Sequence, residues 1–373
     1  MPNAEIDLLR LIRTEGVGPV TYRRLMDRYR TAEAALAALP RLAKAGGRAS
    51  SPVVPDIGTV RAEIDRTAKI GGRLLFLGQP DYPPLLALLD DAPPCLAVLG
   101  DVALLSRPAV AMVGGRNASA NGQRLAEKMG ADLAASVVVV SGLARGIDSA
   151  AHRGALSTEG GKTVAAIAGG LDVVYPPENA DLQRRIGEAG ALVTEAPPGT
   201  VPQARHFPRR NRLIAGLSLG VVVVEAALRS GSLITARIAQ DAGREIFAVP
   251  GSPLDPRALG ANDLIRQGAV LTETAEDVLS NLPAEPVRAA QTADGYGLAE
   301  AQSDWLSDAE ISPDIRGQVI QLLSTDPTKV DDLVRRCQFS SSAVMAILLE
   351  LELAGRVEAL PGSRFALSPD VGI

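Results

Sequence analysis

The stretch of sequence that decides the fold runs from Phe207 to Thr235 and reads FPRRNRLIAGLSLGVVVVEAALRSGSLIT. Its centre, the run of four valines at 221–224, is apolar on both faces of an extended chain, as a central strand of a parallel sheet must be. A glycine–serine turn and a second helical pattern follow the valines directly. This order of strand, turn and helix predicts a parallel α/β sheet with helices on both faces.

Similar strand signals alternate with helical patterns from about residue 73 to residue 282. Runs of β-branched residues in such an alternation favour a doubly wound sheet of the extended Rossmann type. The candidate strands are Ala109–Val113, Val137–Ser141, Thr163–Ala168, Ala191–Glu195, Val221–Glu225, Glu245–Val249 and Val270–Thr272.

The sequence on either side of this alternation predicts two smaller domains. Residues 1–70 carry apolar side chains at helical spacing around a turn at 16–19, which predicts a small helical domain of the SAM or helix-hairpin-helix type. Residues 311–373 combine three helical patterns with a hairpin, the order of a winged helix. We therefore predict an extended Rossmann domain at 71–283 and a linker at 284–310 between the helical and winged-helix domains.

Two elements of these smaller domains have the order of DNA-binding motifs. The Gly16–Pro19 turn fits either an amide site for a phosphate or a plain turn before a helix. The third helical pattern of the winged helix, SSSAVMAILLELELAG at 340–355, has no lysine or arginine and carries Glu350 and Glu352. We expect a packing or protein-docking role for this acidic helix rather than groove reading.

Composition excludes several classes of protein. With 373 residues and 46% apolar side chains, the chain can form two or three domains with sizeable cores. It has no apolar run near the roughly 20 residues that span a bilayer and no signal-peptide pattern, so we expect a cytoplasmic protein without membrane contact. The isolated Cys95 and Cys337, and the spacing of His152 and His206, indicate neither a metal nor another cofactor. Because the net charge is -5, any affinity for nucleic acid must come from a local patch.

Glycine-rich turns follow several of the predicted strands, and all of them would lie at the carboxyl edge of the sheet, where ligands bind in open α/β folds. Free amides at the start of a helix attract anions, and an arginine beside them strengthens the attraction. The residues that we predict to bind phosphate at these turns are Gly114, Gly115, Arg116, Asn117, Ser119, Ser141, Gly142, Arg145, Gly146, Ser230, Gly231 and Ser232.

A cluster of arginines surrounds an aromatic ring just before the valine run. Guanidinium groups beside a flat ring suit single-stranded nucleic acid, since the charges can hold phosphates while the ring stacks on a base. The candidate DNA-binding residues of this cluster are Arg205, His206, Phe207, Arg210, Asn211 and Arg212.

Glu225 ends the valine strand and leaves an enzymatic alternative open. Its carboxylate could be catalytic, or it could orient arginine or amide groups in a binding site. The catalytic alternative is a Rossmann-type nucleotide phosphoribohydrolase that resembles the lysine-decarboxylase-like family. A P-loop ATPase is excluded, because the sequence has no Gly-x-x-x-x-Gly-Lys-Ser/Thr motif.

Several motifs in order resemble those of the DNA-processing protein A (DprA/Smf) family of bacterial recombination mediators, and the resemblance extends over about 180 residues. It implies a Rossmann domain that binds and protects single-stranded DNA in natural transformation, or competence, and loads the RecA recombinase onto it. It also implies a homodimer formed through this domain, and no enzymatic turnover. The motifs are VGGRNAS at 113–119, SGLARGIDSAAHRGAL at 141–156, GGLDVVYPPEN at 169–179, TEAPPG at 194–199, FPRRNRLIAGLS at 207–218, VVEA at 223–226, SGSLITA at 230–236 and REIFAVPG at 244–251.

The resemblance also implies roles for particular residues. The turn at 114–116 would hold one phosphate, residues 141–145 would line the same pocket, and Phe207 would stack on a base, with Arg210 and Arg212 as backbone-binding or structural cations. The sequence departs from the family at two places. The family's lysine shortly before the aromatic is missing from Gln203-Ala204-Arg205, and the first turn reads GGR where the family commonly has GSR. We expect both departures to change the affinity for DNA.

Overall fold

The computed structural model describes residues 3–283, 313–360 and 363–368. The chain divides into two compact units, of which the larger comprises Glu63–Leu89 and Cys95–Gly295, as far as these segments are described. The smaller unit comprises Met1–Ala62, Asp90–Pro94 and Tyr296–Ile373, with the same restriction. The predicted linker at 284–310 lies outside the described residues.

The larger unit is built on one nine-stranded sheet. Its strands are β1 (Arg73–Phe76), β2 (Cys95–Gly100), β3 (Ala109–Val113), β4 (Val138–Ser141), β5 (Thr163–Ala166), β6 (Ala191–Thr194), β7 (Gly220–Val223), β8 (Glu245–Ala248) and β9 (Val270–Leu271). They lie in the order β1-β2-β6-β5-β4-β3-β7-β8-β9. All neighbours from β6 to β9 are parallel, whereas β2 is antiparallel to both β1 and β6.

This sheet confirms the predicted doubly wound α/β fold. The seven predicted strands are present, and most of them end one or two residues earlier than predicted, because the following residues leave the ladder to form turns at the carboxyl edge. Val110, Val139 and Val222 are fully buried, as expected for strands covered on both faces. The strands β1 and β2, which were not in the predicted set, extend the sheet at one edge.

Helices cover the sheet and form most of the smaller unit. Within the described residues, no helix is both long enough and apolar enough to cross a membrane. The helices are α1 (Asn3–Ile12), α2 (Pro19–Tyr29), α3 (Ala32–Ala45), α4 (Ile57–Lys69), α5 (Pro84–Ala87), α6 (Ala120–Ala134), α7 (Ile147–Ser157), α8 (Ala180–Ala189), α9 (His206–Gly216), α10 (Gly231–Asp241), α11 (Leu259–Arg266), α12 (Ala275–Leu279), α13 (Pro313–Leu322), α14 (Val330–Cys337) and α15 (Ser341–Leu353).

The smaller unit confirms the predicted helical and winged-helix folds. Helices α1 to α3 form the N-terminal helical domain. Helices α13 to α15 and a three-stranded antiparallel sheet form the winged helix, and α15 is its third helix. The strands of this sheet are β10 (Thr328–Lys329), β11 (Val357–Leu360) and β12 (Arg364–Leu367), in the order β10-β12-β11.

Candidate nucleic-acid interface

A pocket opens at the carboxyl ends of β3, β4 and β5 in the larger unit. It encloses about 520 Å³, part of which is open to solvent. Its position is the one that parallel α/β sheets offer to ligands, because the turns after adjacent strands diverge there. The residues that line it are Arg116, Gly142, Leu143, Ala144, Arg145, Ile167, Ala168, Gly169, Val173, Tyr175, Pro176, Pro202, Phe207 and Arg210.

The ring of Phe207 lies at the centre of the aromatic and cationic groups of this pocket. The Cζ atom of Arg116 is 5.0 Å from the ring centroid, and that of Arg210 is 5.9 Å from it. The ring of Tyr175 lies 5.7 Å away, centroid to centroid, and is tilted by 52°. Guanidinium groups at these distances are attracted to the face of an aromatic ring. The ring of Phe207 is therefore held beside positive charge and next to a second aromatic side chain, which is 43% exposed.

Arg116 is the exposed cation of the pair. It lies in the turn between β3 and α6, and the amide of Gly115 in this turn donates to the carbonyl of Glu225 over 2.6 Å. No salt bridge to Arg116 is found within the described residues. Its charge is consequently free to bind an anion at the pocket.

Arg210 is the buried cation of the pair, with 6% of its surface exposed. Its Nη1 donates to the carbonyl of Gly142 and, over 3.2 Å, to that of Ala166. A Cβ atom on Gly142 would lie 1.6 Å from this Nη1, so the turn after β4 needs glycine here. Burial lowers the pKa of Arg210 and raises that of Asp148, and the attraction between the two charges opposes both shifts. Arg210 joins helix α9 to the ends of β4 and β5.

Arg212 and Asn211 are also buried, at 8% and 9% exposure. The guanidinium of Arg212 donates to both carboxylate oxygens of Glu195, from Nε over 3.2 Å and from Nη2. This two-pronged ion pair connects α9 to the residue that follows β6. In this structure Arg212 is thus a structural cation, the second of the two roles implied by the resemblance.

Arg145 lies at the pocket on the turn between β4 and α7, which begins after Gly146. Its guanidinium forms a salt bridge to Glu178, and both side chains are more than half exposed. Exposed ion pairs contribute little to stability, so a phosphate can compete with the carboxylate at small cost. Arg145 is the second cation that the pocket can present to a nucleic acid.

The remaining residues predicted on the first two turns have structural partners. Ser141 is fully buried and donates to the carbonyl of Met112 over 2.6 Å. The Ser119 hydroxyl accepts from the amide of Gly122 over 2.9 Å, which caps α6. The carboxylate of Glu225 accepts the Ser119 hydroxyl over 2.5 Å and the Ser119 amide over 2.8 Å. Glu225 therefore holds the Gly-Gly-Arg turn in place through these hydrogen bonds. It is not among the residues that line the pocket.

The residues predicted at the other turn do not join this pocket. Ser230, Gly231 and Ser232 follow β7, which lies on the opposite side of β3 from β4. Ser230 caps α10 by accepting from the amide of Ser232 over 3.4 Å. They form a separate turn at the same edge of the sheet.

Arg205, His206 and Asn117 are near the pocket in sequence but do not line it. Arg205 and Asn117 are exposed, and the Nε atom of Arg205 lies 3.5 Å from Nε2 of His206. The other ring nitrogen of His206 accepts from the amide of Gln203 over 3.2 Å. Partial burial and the nearby Arg205 and Arg209 lower the pKa of His206.

Sequence reasoning missed Tyr175 and the apolar wall of the pocket. Tyr175 lies within the motif GGLDVVYPPEN, and Ile167, Val173 and Pro202 complete the wall. The available signal was an aromatic residue inside a glycine- and proline-rich motif, in a chain with only 3% aromatic residues.

The lining residues provide positive charge and flat surfaces. They include three arginines, a tyrosine and a phenylalanine, but no carboxylate, imidazole or thiol. Within the part of the chain that the structure describes, no three His, Cys, Asp or Glu side chains form a group that could hold a metal ion. The arrangement can bind an anion and stack against a planar group.

Three family models match the chain in its predicted order of domains. The model for DNA recombination-mediator protein A matches residues 73–283. The DprA-like N-terminal HHH domain matches residues 2–65, and the DprA winged helix domain matches residues 306–363.

Individual proteins show the same similarity. Protein Smf of Escherichia coli (strain K12) is 41% identical over 293 residues, which are 75% of this chain and 74% of that protein. A crystal structure of DNA processing protein A (DprA) from Streptococcus pneumoniae has a TM-score of 0.64 and 34% identity, covering 76% of this chain and 99% of that one. The structure of DNA processing protein A from Helicobacter pylori, which describes a single-stranded DNA binding mode, has a TM-score of 0.51 and 28% identity, covering 57% of this chain and 98% of that one. The chain belongs to the DNA recombination-mediator protein A (DprA/Smf) family.

Proposed function

We propose that this protein binds single-stranded DNA without regard to base sequence, and that the pocket at the ends of β3, β4 and β5 is the contact site. The observation that carries the proposal is the placement of the Phe207 ring beside Arg116 and Tyr175. An exposed cation and two ring faces at one opening match a ligand with alternating phosphates and bases. Phosphates carry no sequence information, so binding is independent of sequence and weakens with salt.

Each of the arginines and rings at the pocket has a separate part in this binding. Arg116 and Arg145 neutralise phosphates of the strand, which releases the counterions that these phosphates held. Phe207 and Tyr175 stack on bases, and only a single strand offers free base faces. The preference for single strands therefore comes from the rings, and the salt dependence comes from the arginines.

The buried charges hold these groups in place. Arg210 and Arg212 fix helix α9, whose first turn carries Phe207, to the ends of β4, β5 and β6. Glu225 fixes the turn that carries Arg116. Because the ring and the cation are positioned before DNA arrives, binding costs less conformational entropy than it would on a mobile loop.

Family membership supports a finer assignment of partners. We propose that this chain protects single-stranded DNA and loads the RecA recombinase onto it, and that it acts as a homodimer formed through the Rossmann domain. The Helicobacter pylori relative, whose structure describes a single-stranded DNA binding mode, supports the choice of ligand.

We also propose that the protein has no enzymatic turnover. A phosphoribohydrolase that used Glu225 would need this carboxylate at the substrate. Both carboxylate oxygens of Glu225 instead accept hydrogen bonds from Ser119, and its side chain is absent from the pocket lining. This arrangement favours the positioning role of Glu225.

The test is binding of the full chain to a labelled oligonucleotide, single-stranded or duplex, measured by fluorescence anisotropy. The wild type should prefer the single strand, and Phe207→Ala should reduce this preference, whereas Phe207→Trp should keep it. Arg184→Ala is a matched control, since this exposed arginine of α8 pairs with Asp181 and Glu188 and does not line the pocket. Equal affinity of the wild type for both forms of DNA, or an unchanged preference in Phe207→Ala, would contradict the proposal.

A further inference from the structure

The third helix of the winged helix, α15, is buried on two sides within the smaller unit. One side packs into the winged-helix core, against residues such as Val319, Leu333 and Phe365. The other side contributes Leu349 and Leu353 to a second core. The buried partners of these two leucines are Leu11, Tyr22, Leu25, Ala32, Ala35, Ala38, Leu39 and Leu42, all of them in the N-terminal helical domain.

Both acidic residues of α15 are paired with arginines, Glu352 with Arg24 of the N-terminal helical domain and Glu350 with Arg316 of the winged helix itself. Glu352 accepts from Nη1 of Arg24 over 3.1 Å, although the two residues are 328 positions apart. Only 9% of Arg24 is exposed, and its guanidinium lies 4.6 Å from the centroid of the Phe365 ring. Glu350 is paired in the same way with Arg316, over 2.8 Å. Charges on α15 therefore serve internal ion pairs.

The backbones of the two domains also approach closely. A Cβ atom on Gly46, at the end of α3, would lie 2.0 Å from the carbonyl oxygen of Glu350, so only glycine fits there. Nη1 of Arg48 lies 3.5 Å from the carbonyl oxygen of Leu353. Leucine side chains, an ion pair and a glycine contact thus make a shape-specific interface between α15 and the helices α2 and α3.

This interface leaves little of α15 for a DNA groove. A winged helix enters the major groove with the exposed side chains of its third helix, most of all those near its N-terminus. On α15, the positions that are not buried are Ser341, Ser342, Met345 and Glu352. None of them is basic, and Glu352 is already paired with Arg24.

We propose that α15 is a docking surface for the N-terminal helical domain of the same chain, and that Arg24 is the residue that recognises it. The two ends of the chain then form one cooperative module. The winged helix in this module binds protein rather than reading duplex DNA.

Native-state hydrogen exchange on the full chain in low concentrations of denaturant tests the proposal without any substitution. Amides of α2, α3 and α15 should share one opening event, since they share one core. Separate opening of α15 and of the N-terminal helices would overturn the proposal. A loss of protection on dilution would overturn it too, because the contact would then lie between two copies of the chain.

Substitutions of the ion pair give a second test. Arg24→Met or Glu352→Leu alone leaves one charge buried without its partner, and we expect exchange in α2 and α15 to rise together by about tenfold or more. The double variant removes both charges and should recover most of the protection. Arg335→Met is a matched control, since this exposed arginine of α14 pairs with Asp332 outside the interface. Faster hydrogen exchange in only one of the two helices would contradict the proposal. So would a double variant whose loss of protection equals the sum of the losses in the two single variants.

Discussion

The carboxyl edge of the Rossmann sheet and the third helix of the winged helix both have the sequence order of DNA-binding elements, but they use their charges differently. At the sheet edge, Arg116 is exposed beside a ring and has no salt bridge within the described residues. On α15, Glu350 and Glu352 are paired with buried or half-buried arginines. A cationic motif can bind DNA only where its charge is not already used inside the fold. The two regions therefore differ in the sign of their charges and in the partners of those charges: the sheet edge presents an exposed arginine, whereas α15 carries only carboxylates, which are paired inside the fold.

The same distinction separates arginines within one motif. Arg209 is exposed, whereas Arg210 and Arg212 point into the protein and hold α9 to the sheet. The segment FPRRNR combines Phe207, the ring that we propose to stack on a base, with the structural cations that position it. Substitutions at neighbouring positions should consequently break different properties of the protein.

The largest effect is expected from breaking a buried ion pair below the pocket. Arg212→Ala leaves the carboxylate of Glu195 half-buried without its partner, and should lower the free energy of unfolding of the larger unit by about 3–5 kcal/mol. Arg184→Ala also removes ion pairs, to Asp181 and Glu188, but these pairs are exposed, so their loss should lower the free energy of unfolding far less than the loss of Arg212. Urea denaturation, followed by a signal that reports on the larger unit, measures the free energy of unfolding of both variants. An equal decrease in the free energy of unfolding for both variants would show that the burial of Arg212 does not increase the contribution of its ion pair to stability.

A smaller effect on the stability of the larger unit is expected from acid. His152 is fully buried, and burial, together with the charge of Arg210, lowers its pKa to about 3. The unfolded chain takes up a proton at this histidine below its usual pKa of 6.5, while the folded chain does not. The stability that the neutral His152 contributes is therefore fully present above pH 6.5, and it is lost as the pH falls towards the folded-state pKa of this histidine.

Between pH 6.5 and pH 5 this loss amounts to roughly 2 kcal/mol. The measurement is urea denaturation of the wild type and of His152→Gln at both pH values. Because Asp148 titrates in both proteins, the difference between them isolates the histidine. The variant should lose less stability than the wild type on acidification. A parallel loss in both would contradict the assigned pKa.

The binding rings are expected to give graded effects at the pocket. Phe207→Ala should weaken binding of single-stranded DNA by about 1–3 kcal/mol, the range for one stacked base. Tyr175→Ala should cost less, about 1 kcal/mol, because its ring is at the exposed rim of the pocket. Tyr175→Phe keeps the ring and should be close to neutral. A larger loss of DNA affinity in Tyr175→Ala than in Phe207→Ala would indicate that the main stacking contact is made by Tyr175 at the rim of the pocket and not by Phe207.

The central fold could be predicted because its signals are local. The valine runs and the glycine turns each span fewer than ten residues, and parallel strands align their turns at one edge. The antiparallel strands β1 and β2 were missed, since the short runs RLLF and CLAVLG are not part of a strand–helix alternation. The ends of most strands were predicted one or two residues too late, because the turns decide where each strand ends and hydrophobic periodicity does not show where a turn begins.

The site could be predicted only as a set of residue types. The burial of Arg210 follows from a contact across 68 positions, between α9 and Gly142, which no local pattern contains. The absence of basic residues on α15 predicted a packing or protein-docking role, and α15 packs against the N-terminal helical domain. Arg24, the partner of Glu352 on α15, could not be identified from the sequence, because this contact joins residues 328 positions apart.

The salt dependence of single-stranded DNA binding tests the central claim most directly, since it counts the phosphates that free cations neutralise. The slope of log affinity against log salt concentration is measured for the wild type, Arg116→Ala and Arg184→Ala. We expect Arg116→Ala to reduce the magnitude of this slope by about 0.7, the value for one phosphate contact with a single strand, and Arg184→Ala to leave it unchanged. A slope unchanged in Arg116→Ala would contradict the claim that this exposed cation holds the DNA backbone.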